Sequence, residues 1–357
     1  MYKQPRHARR RLAGALLGVV LLGCAADRPA TGELRGRALP EPVARPSFTL
    51  PTLDGAPYDF AARTTGKLTF LFFGYTYCPD ICPIHLGALG AALAELPYEA
   101  RQQVEVVFVT VDPERDTPAR LREWLRGFDP TFVGLRGTLE QANAAAALAG
   151  LPPSSHGPVE KDGSYSVGHP AGMLAFSPDG PAYVLYPFGT RREDWVHDLP
   201  LLLGRRGDAL AAETRAPGDV APAESGLTVA RAYVTRSRMA NAAALYAVID
   251  NGTSAAEALV GIDAPATRTE LHETVREGEG VAMRMQMQPV AEIAVPARGS
   301  ARLQPGGYHA MLLQPALEWV PGDTVTVRFR FRGGAVRTVQ APVVAHDEVA
   351  QRLEGGR

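Results

Sequence analysis

The sequence predicts an α/β domain followed by an all-β domain, and three observations support this division. Short apolar runs alternate with helical patterns from residue 47 to about 204, an order that predicts a mixed sheet with helices on its faces. Residues 205–226 are rich in Arg, Gly, Ala, Pro and Glu, which is typical of an interdomain linker. Residues 227–345 contain short alternating or β-branched runs between turn residues, which predicts a sandwich or barrel.

The first half of the α/β domain alternates strand, helix and strand. The runs LTFLFF (68–73) and VEVVFVT (104–110) are predicted to be buried strands. Between them, residues 82–96 place their apolar side chains on one helical stripe. His85 lies in this helix and is predicted to be a surface residue.

The second half adds helices and a hairpin. Pro118 is predicted to start a helix at its first position, and Thr138 is predicted to cap a helix over 138–149. The run MLAFS-PDG-PAYVLY predicts a hairpin that turns at 178–180, and a closing helix begins within 191–203. This order fits a thioredoxin-like layout.

The N-terminus has the pattern of an export signal. A basic segment, MYKQPRHARRR, precedes LAGALLGVVLLG, an apolar run too short to span a bilayer comfortably. The following Cys24 stands in a sequence that resembles a bacterial lipobox, which implies that Cys24 is lipidated. We therefore predict a signal peptide over 1–23, a tether over 24–46 and a tail over 346–357. The alternative is an uncleaved anchor helix. Either predicts a protein tethered on the periplasmic side of a bacterial membrane.

Composition excludes one class of partner. The chain has 357 residues and a formal net charge of −1, a length that suits about two domains. Acidic and basic residues are nearly balanced, so no basic excess indicates a nucleic-acid partner.

The remaining thiols, Cys78 and Cys82, are predicted to lie where a strand ends and a helix begins. Four-residue spacing can place both sulfurs on one side of the first helical turn, and the helix N-terminus favours thiolate. Ionising an ordinary thiol at pH 7 costs about 2 kcal/mol, so such a site favours soft-metal binding and thiol exchange. A copper site needs a further ligand, and the candidates are four histidines: His85, His156, His169 and His197. His169 directly precedes an apolar strand.

Three blocks of the first domain resemble the SCO/SenC family, which comprises thioredoxin-fold copper proteins of cytochrome oxidase assembly. The blocks are FFGYTYCPDICP, VVFVTVDPERDTP, and VGHPAGMLAFSPDG with YPFGT. The resemblance implies Cys78, Cys82 and His169 as ligands of Cu(I) or Cu(II). Asp112 matches a family acid with a proposed role in partner docking or redox chemistry, although a turn or cap role is an equal alternative. Gly168 and Pro170 depart from the residues that often flank the family histidine.

The second domain contains thioether and imidazole groups but no cysteine. Met283, Met285 and Met287 alternate along one predicted strand and so share a face. His309 and Met311 are likewise two residues apart. A flexible hydrophobic patch is the alternative for the methionines, but thioether together with imidazole selects Cu(I).

This region resembles the periplasmic PCuAC copper chaperones, which are cupredoxin-like β-barrels. Twenty-one residues separate Met287 from His309, as in the family pattern, whereas fourteen separate His272 from Met287 and the family has ten. The resemblance implies His272, Met287, His309 and Met311 as Cu(I) ligands, with Met283 and Met285 as candidate auxiliary ligands.

Together these features predict an extracytoplasmic copper metallochaperone with two copper sites rather than an enzyme. The expected partner is the copper-binding subunit of cytochrome c oxidase, and a thioredoxin-like periplasmic reductase is a second candidate. Two alternatives stay open. The chain could be a thiol-disulfide reductase, with Cys78 and Cys82 as its redox-active thiols, or a periplasmic copper buffer.

Overall fold

A computed structural model describes residues 34–159, 163, 165–204, 226–237, 242–346 and 348–349. The strands of the first domain are β1 (Arg37–Val43), β2 (Thr49–Pro51), β3 (Pro57–Asp59), β4 (Leu68–Gly74), β5 (Val104–Thr110), β6 (Val133–Leu135), β7 (Ser155–His156), β8 (Val167–Pro170), β9 (Met173–Phe176) and β10 (Ala182–Tyr186). Its helices are α1 (Phe60–Thr64), α2 (Ile81–Leu93), α3 (Tyr98–Arg101), α4 (Pro118–Arg126), α5 (Leu139–Leu148) and α6 (Arg192–Gly204).

The central sheet of this domain has six strands in the order β1-β10-β9-β4-β5-β6. Strands β4, β5 and β6 are parallel, while β9 and β10 form the predicted hairpin and run antiparallel beside β4. Every residue of β4 is buried, as expected for a strand covered on both faces. The carboxyl end of β4 leads directly into the loop that carries the first cysteine.

The local start signals of the helices are confirmed. Pro118 occupies the first turn of α4, and Thr138 caps α5 in a reciprocal capping box with Gln141. Helix α2 differs from the prediction, because it is apolar on nearly every side and buries eleven of its thirteen residues. His85 is therefore not a surface residue. Its ring is 1% exposed and packs between Phe72 and Trp195.

The predicted tether and tail both contain ordered structure. Residues 37–43, expected in the tether, form β1 and pair with β10 at the edge of the sheet, where a strand tolerates its two prolines. In the predicted tail, Val349 is fully buried and packs in a cluster with Ile84 of α2. Cys24 and most of the predicted linker lie outside the described residues.

The described residues of the second domain form ten strands and one 3₁₀ turn (Gly280–Ala282). The strands are β11 (Leu227–Ser237), β12 (Ala242–Asn251), β13 (Glu257–Asp263), β14 (Ala266–Glu277), β15 (Arg284–Pro289), β16 (Ile293–Val295), β17 (Gly299–Leu303), β18 (Tyr308–Pro315), β19 (Thr324–Phe331) and β20 (Val336–Val344). Alternate residues of β19 are buried, which is the pattern of a strand with one face on a core. An α/β domain followed by an all-β domain confirms the predicted fold class.

The two domains share a sheet. The order of the twelve-stranded sheet ends in β18-β14-β15-β8-β7, so two short strands of the first domain extend the sheet of the second. The junction is an antiparallel pair in which Met285 of β15 lies opposite His169 of β8. Two side-chain hydrogen bonds flank this pair, from Gln286 to Ser166 at 3.0 Å and from Arg284 to Ser155 at 3.1 Å.

Candidate metal centres

The two cysteines lie on either side of the start of α2. Cys78 is in the loop after β4 and Cys82 is in the first turn of the helix, where its backbone N–H donates to the Cys78 sulfur at 3.4 Å. Both thiols are free and buried. A Cβ atom at Gly74 would lie 2.6 Å from the Cys82 sulfur. Glycine at the end of β4 is therefore what gives this sulfur its space.

His169 brings a nitrogen to the cysteine pair. Its Nδ1 lies 3.0 Å from the Phe73 carbonyl and 2.8 Å from the Pro170 carbonyl, so Nδ1 carries the proton and donates it. This leaves Nε2 with a lone pair, and Nε2 lies 3.8 Å from the Cys82 sulfur. The ligand atoms of Cys78, Cys82 and His169 all lie within 4.8 Å of one another. The three side chains have the donor chemistry and proximity of a soft-metal site.

The two thiols differ electrostatically. Burial opposes ionisation of Cys78, but hydrogen bonding from Cys82 and the proximity of the His169 ring outweigh it and hold the pKa of Cys78 well below its usual value. Burial, together with the neighbouring Cys78, raises the pKa of Cys82 well above its usual value. A soft cation that binds both sulfurs would displace the protons that they carry.

A buried carboxylate holds the loop that follows β4. Asp116 accepts hydrogen bonds from the Thr76 backbone N–H at 3.1 Å and from the Thr76 and Thr110 hydroxyls at 2.5 and 2.6 Å. The loop around Tyr75 is thereby fixed at the ends of β4 and β5, and the Tyr75 ring packs against His169 at 5.6 Å. Sequence reasoning did not identify Asp116, although its position four residues after Asp112 in the same block was visible.

Asp112 lies beside the metal centre rather than in it. It is fully buried and accepts hydrogen bonds from Arg115 at 2.6 Å and Tyr165 at 2.7 Å. The Arg115 guanidinium in turn stacks over the rings of Tyr165 and Tyr77. The carboxylate organises an aromatic and cationic cluster next to the cysteine loop. Whether it has a partner-docking or redox role stays a prediction.

The other candidate histidines of the first domain have different environments. His156 Nε2 lies 3.0 Å from the Val111 carbonyl, and His197 Nδ1 lies 2.7 Å from the Asp198 carboxylate. His85 is enclosed by aromatic rings. Of the four candidates, the structure places His169 with both cysteines.

The histidines of the second domain face each other across β14 and β18. His272 and His309 are directly paired residues, and their ring centroids are 5.7 Å apart. One nitrogen of each ring is occupied, His309 Nδ1 by the Gly307 carbonyl at 3.0 Å and His272 Nε2 by Glu270 at 3.0 Å. The other nitrogens, His309 Nε2 and His272 Nδ1, are buried without a hydrogen-bond partner among the described residues.

The two nitrogen lone pairs that these atoms carry are better explained by a metal site than by a packed core. A buried polar nitrogen without a partner is costly, and burial lowers the pKa of His272 despite the adjacent Glu270, so the neutral ligand form is favoured. Met311 lies opposite Glu270 and Met287 lies opposite Thr274. Both are an even number of residues from the paired histidines, so all four side chains lie on one face of the sheet.

The candidate auxiliary ligands lie elsewhere. Met285 is opposite His169 of the first domain and is 1% exposed in the same core cluster as Cys78 and Cys82. Met283 follows the 3₁₀ turn and packs against that cluster. Both methionines lie towards the first domain, and their role as auxiliary ligands of the His/Met group stays a prediction.

Asp80 connects the two groups and was missed in the sequence. It precedes α2 midway between the cysteines, and it accepts hydrogen bonds from the Tyr246 hydroxyl at 2.6 Å and the Gly306 N–H at 2.9 Å. Both donors belong to the second domain. An acid at a helix N-cap position is a common local signal, but Asp80 makes no side-chain cap bond and instead holds the domains together.

Comparisons with known proteins match each of the two domains to a protein family. Residues 37–203 match the SCO1/SenC family model. A protein of Stutzerimonas stutzeri named "Putative copper-binding protein" is 35% identical over 175 residues, which cover 48% of this chain and 83% of the relative. The chain belongs to the SCO1/SenC family. Residues 227–343 match a second family model, described as "Putative lipoprotein LpqE-like", so the SCO1/SenC domain is followed by an LpqE-like domain.

Other SCO relatives match over shorter parts of their length. "Protein SCO2, mitochondrial" of Saccharomyces cerevisiae is 32% identical over 133 residues, which is 37% of this chain and 44% of the yeast protein. The chain thus spans less than half the length of that relative. The solution structures of apo Sco1 from Thermus thermophilus are 33% identical, with a TM-score of 0.44, over 48% of this chain and 99% of theirs.

Among the described residues, no helix is both long and apolar enough to cross a membrane.

Proposed function

We propose that this protein is a membrane-tethered, extracytoplasmic copper metallochaperone with two copper sites. The observation that carries the proposal is the convergence of Cys78, Cys82 and His169 atoms within 4.8 Å of one another in a chain of the SCO1/SenC family. The copper-binding name of the Stutzerimonas relative supports copper as the cargo. Two sulfurs and an imidazole suit copper better than a hard cation such as Mg²⁺.

The second copper site comprises His272, His309, Met287 and Met311. Its support is the pair of buried ring nitrogens without a partner among the described residues, and the two thioethers on the same face of the sheet. Because neither thioether nor imidazole is negatively charged, the site suits Cu(I). The cysteine site takes Cu(I) or Cu(II). We propose that copper passes between the sites and is delivered to the copper-binding subunit of cytochrome c oxidase.

The proposed location of the protein, anchored to a membrane outside the cytosol, is based on its N-terminal sequence. The LpqE-like match concerns a lipoprotein family by its printed description, which supports lipidation at Cys24 and a position on the periplasmic side of a bacterial membrane. Radiolabelled palmitate incorporated by the wild type and lost in Cys24→Ser would support this location. Equal labelling of the two proteins would contradict it.

Copper titration of the intact chain tests the two-site proposal. We expect the reduced wild type to bind two Cu(I) per chain. The double variants Cys78→Ser/Cys82→Ser and His272→Leu/His309→Leu should each bind one. A stoichiometry of one in the wild type would overturn the two-site proposal. Oxidase activity in a deletion strain at limiting copper separates delivery from buffering, because a buffer has no dedicated client and its loss would leave oxidase activity intact.

A reductase is the second candidate, and one observation favours it. The pKa of Cys78 is lowered and that of Cys82 is raised, as in a pair with one attacking and one resolving thiol. Such a pair would transfer two electrons and two protons to a client disulfide and become a disulfide itself. In His169→Ala, lost copper binding with failed oxidase assembly supports the chaperone, whereas unaffected assembly supports the reductase.

A further inference from the structure

Strand β15 runs from one proposed copper site to the other. At one end Met287 lies opposite Thr274, two residues from His272. At the other end Met285 lies opposite His169. Directly opposed residues in an antiparallel pair share a face, and Met285 and Met287 are two residues apart. One face of one continuous sheet therefore carries a run of soft donors from both domains, namely Met311, His309, His272, Met287, Met285 and His169.

Met285 is the member of this run that lies directly opposite His169 of the cysteine site. Directly opposed side chains have Cβ atoms about 4.5–5.5 Å apart, which places Met285 beside the His169 ring. Met285 is 1% exposed and packs in the cluster that contains Cys78 and Cys82. A buried methionine is commonly a gap-filling residue. Here, however, it is opposite a histidine whose Nε2 already faces a thiol at 3.8 Å.

The chemistry of the buried site favours a neutral ligand at this position. Cu(I) with two thiolates carries a net negative charge, and burying a further charge without a partner is costly. A thioether is soft and uncharged, so it adds a bond to copper without adding charge. Among the natural side chains, methionine also has the flexibility to reach a metal beside its cross-strand neighbour.

We propose that the Met285 thioether is a fourth copper ligand, supplied by the second domain to the site formed by Cys78, Cys82 and His169. The complete site therefore exists only when the two domains are docked. This inference rests on the proposed copper binding at Cys78, Cys82 and His169.

The domain contacts hold Met285 in register. Asp80, between the two cysteines, accepts from Tyr246 and from Gly306, and Gln286 donates to Ser166 at 3.0 Å. Slipping β15 by one residue would turn Met285 to the opposite face of the sheet and break the Gln286 bond. The same contacts that dock the domains thus fix which side chain faces the copper.

X-ray absorption of the full-length protein tests directly whether the residue-285 side chain binds copper. The parent protein carries Met287→Leu and Met311→Leu, which remove the thioethers of the second site, and its methionines are replaced by selenomethionine. It is loaded with one equivalent of Cu(I). We expect a copper–selenium scattering path that disappears in Met285→Leu and persists in the matched control Met283→Leu. Chelator competition should show about tenfold weaker Cu(I) binding in Met285→Leu and no change in Met283→Leu.

The outcomes separate the ligand from the proposed function. Copper retained by the parent protein without a copper–selenium path overturns Met285 as a ligand and leaves the cysteine site standing. A path that persists in Met285→Leu also overturns it. If Cys78→Ser does not reduce copper binding by the parent protein, the proposed cysteine site fails, and the ligand inference fails with it.

Discussion

The Tyr246 hydroxyl of the second domain donates a 2.6 Å hydrogen bond to Asp80, the residue midway between Cys78 and Cys82. The bond joins the domain interface to the cysteine loop, and both partners are buried. Because the acceptor is a buried carboxylate, losing this hydrogen bond should destabilise the folded protein.

We expect Tyr246→Phe to lower the free energy of unfolding by about 1–3 kcal/mol. Amides paired between β15 and β8 should also exchange hydrogen faster, because docking is weakened. Urea denaturation and hydrogen exchange measured by mass spectrometry test the two effects. Tyr98→Phe is the control, since Tyr98 is 73% exposed. Unchanged exchange at β15 and β8 would show that this bond does not hold the domains together.

Replacing His169 should weaken copper binding at the cysteine site far more than replacing a neighbouring histidine. Loss of a partner outside the ligand shell typically costs 10–100-fold in affinity, so we expect His169→Gln to cost at least about 100-fold. His156→Gln is the matched control, because His156 lies on the adjacent strand β7 and contacts the Val111 carbonyl. Chelator competition measures both. Equal losses in the two variants would contradict a ligand role for His169.

Replacing His309 should remove one copper ion per chain and leave the cysteine site loaded. The Nε2 atom of His309 has no hydrogen-bond partner in the part of the chain that the structure describes, and His309→Leu would replace it by an apolar group that needs no partner. We therefore expect copper stoichiometry to fall from two to one without a loss of folding stability. His197→Gln should keep both ions. A large drop in stability with unchanged stoichiometry would indicate a packing role instead.

The apo protein should lose stability in mild acid because of His85. Burial lowers the pKa of His85 to about 3, whereas an unfolded histidine has a pKa of about 6.5. Between these values the unfolded state binds more protons, so stability is complete above pH 6.5 and falls as the pH falls. From pH 7 to pH 4 this group should cost on the order of 3 kcal/mol.

His85→Leu should reduce that dependence and keep the stability near pH 7, since both ring nitrogens of His85 lack hydrogen-bond partners among the described residues. The dependence that remains comes from groups such as His272 and His346, because burial lowers their pKa values as well. Urea denaturation at pH 7, 5.5 and 4 compares it with the wild type and with His197→Gln, whose acid sensitivity should persist. If the slope with pH is the same in His85→Leu, another group is responsible.

Local signals in the sequence predicted the elements of the first domain well. Pro118, the Thr138 cap and the turn at Pro178-Asp179-Gly180 each act within a few residues, so their effects are visible in the chain. The burial of His85 was missed, because a histidine on an otherwise apolar helix gives no local sign of which neighbours cover it. The β1 strand was missed for a similar reason, since its pairing with β10 is a long-range contact.

The candidate site was predictable only in part. The grouping of Cys78, Cys82 and His169 followed from the family resemblance rather than from spacing, because Cys82 and His169 are 87 positions apart in the chain. The position of Met285 could not be predicted. Strand pairing across a domain boundary depends on tertiary docking, and neither β8 nor β15 contains a residue pattern that specifies the other.

The shared sheet has a practical consequence for anyone who dissects this chain. Cutting between the domains would leave the β15-facing edge of β8 and the β8-facing edge of β15 with unsatisfied backbone hydrogen-bonding groups, and such edges recruit other strands. Each domain expressed by itself would thus expose a β-sheet edge that the intact chain keeps paired. Self-association of such a fragment would result from the truncation and would not be a property of the full-length protein.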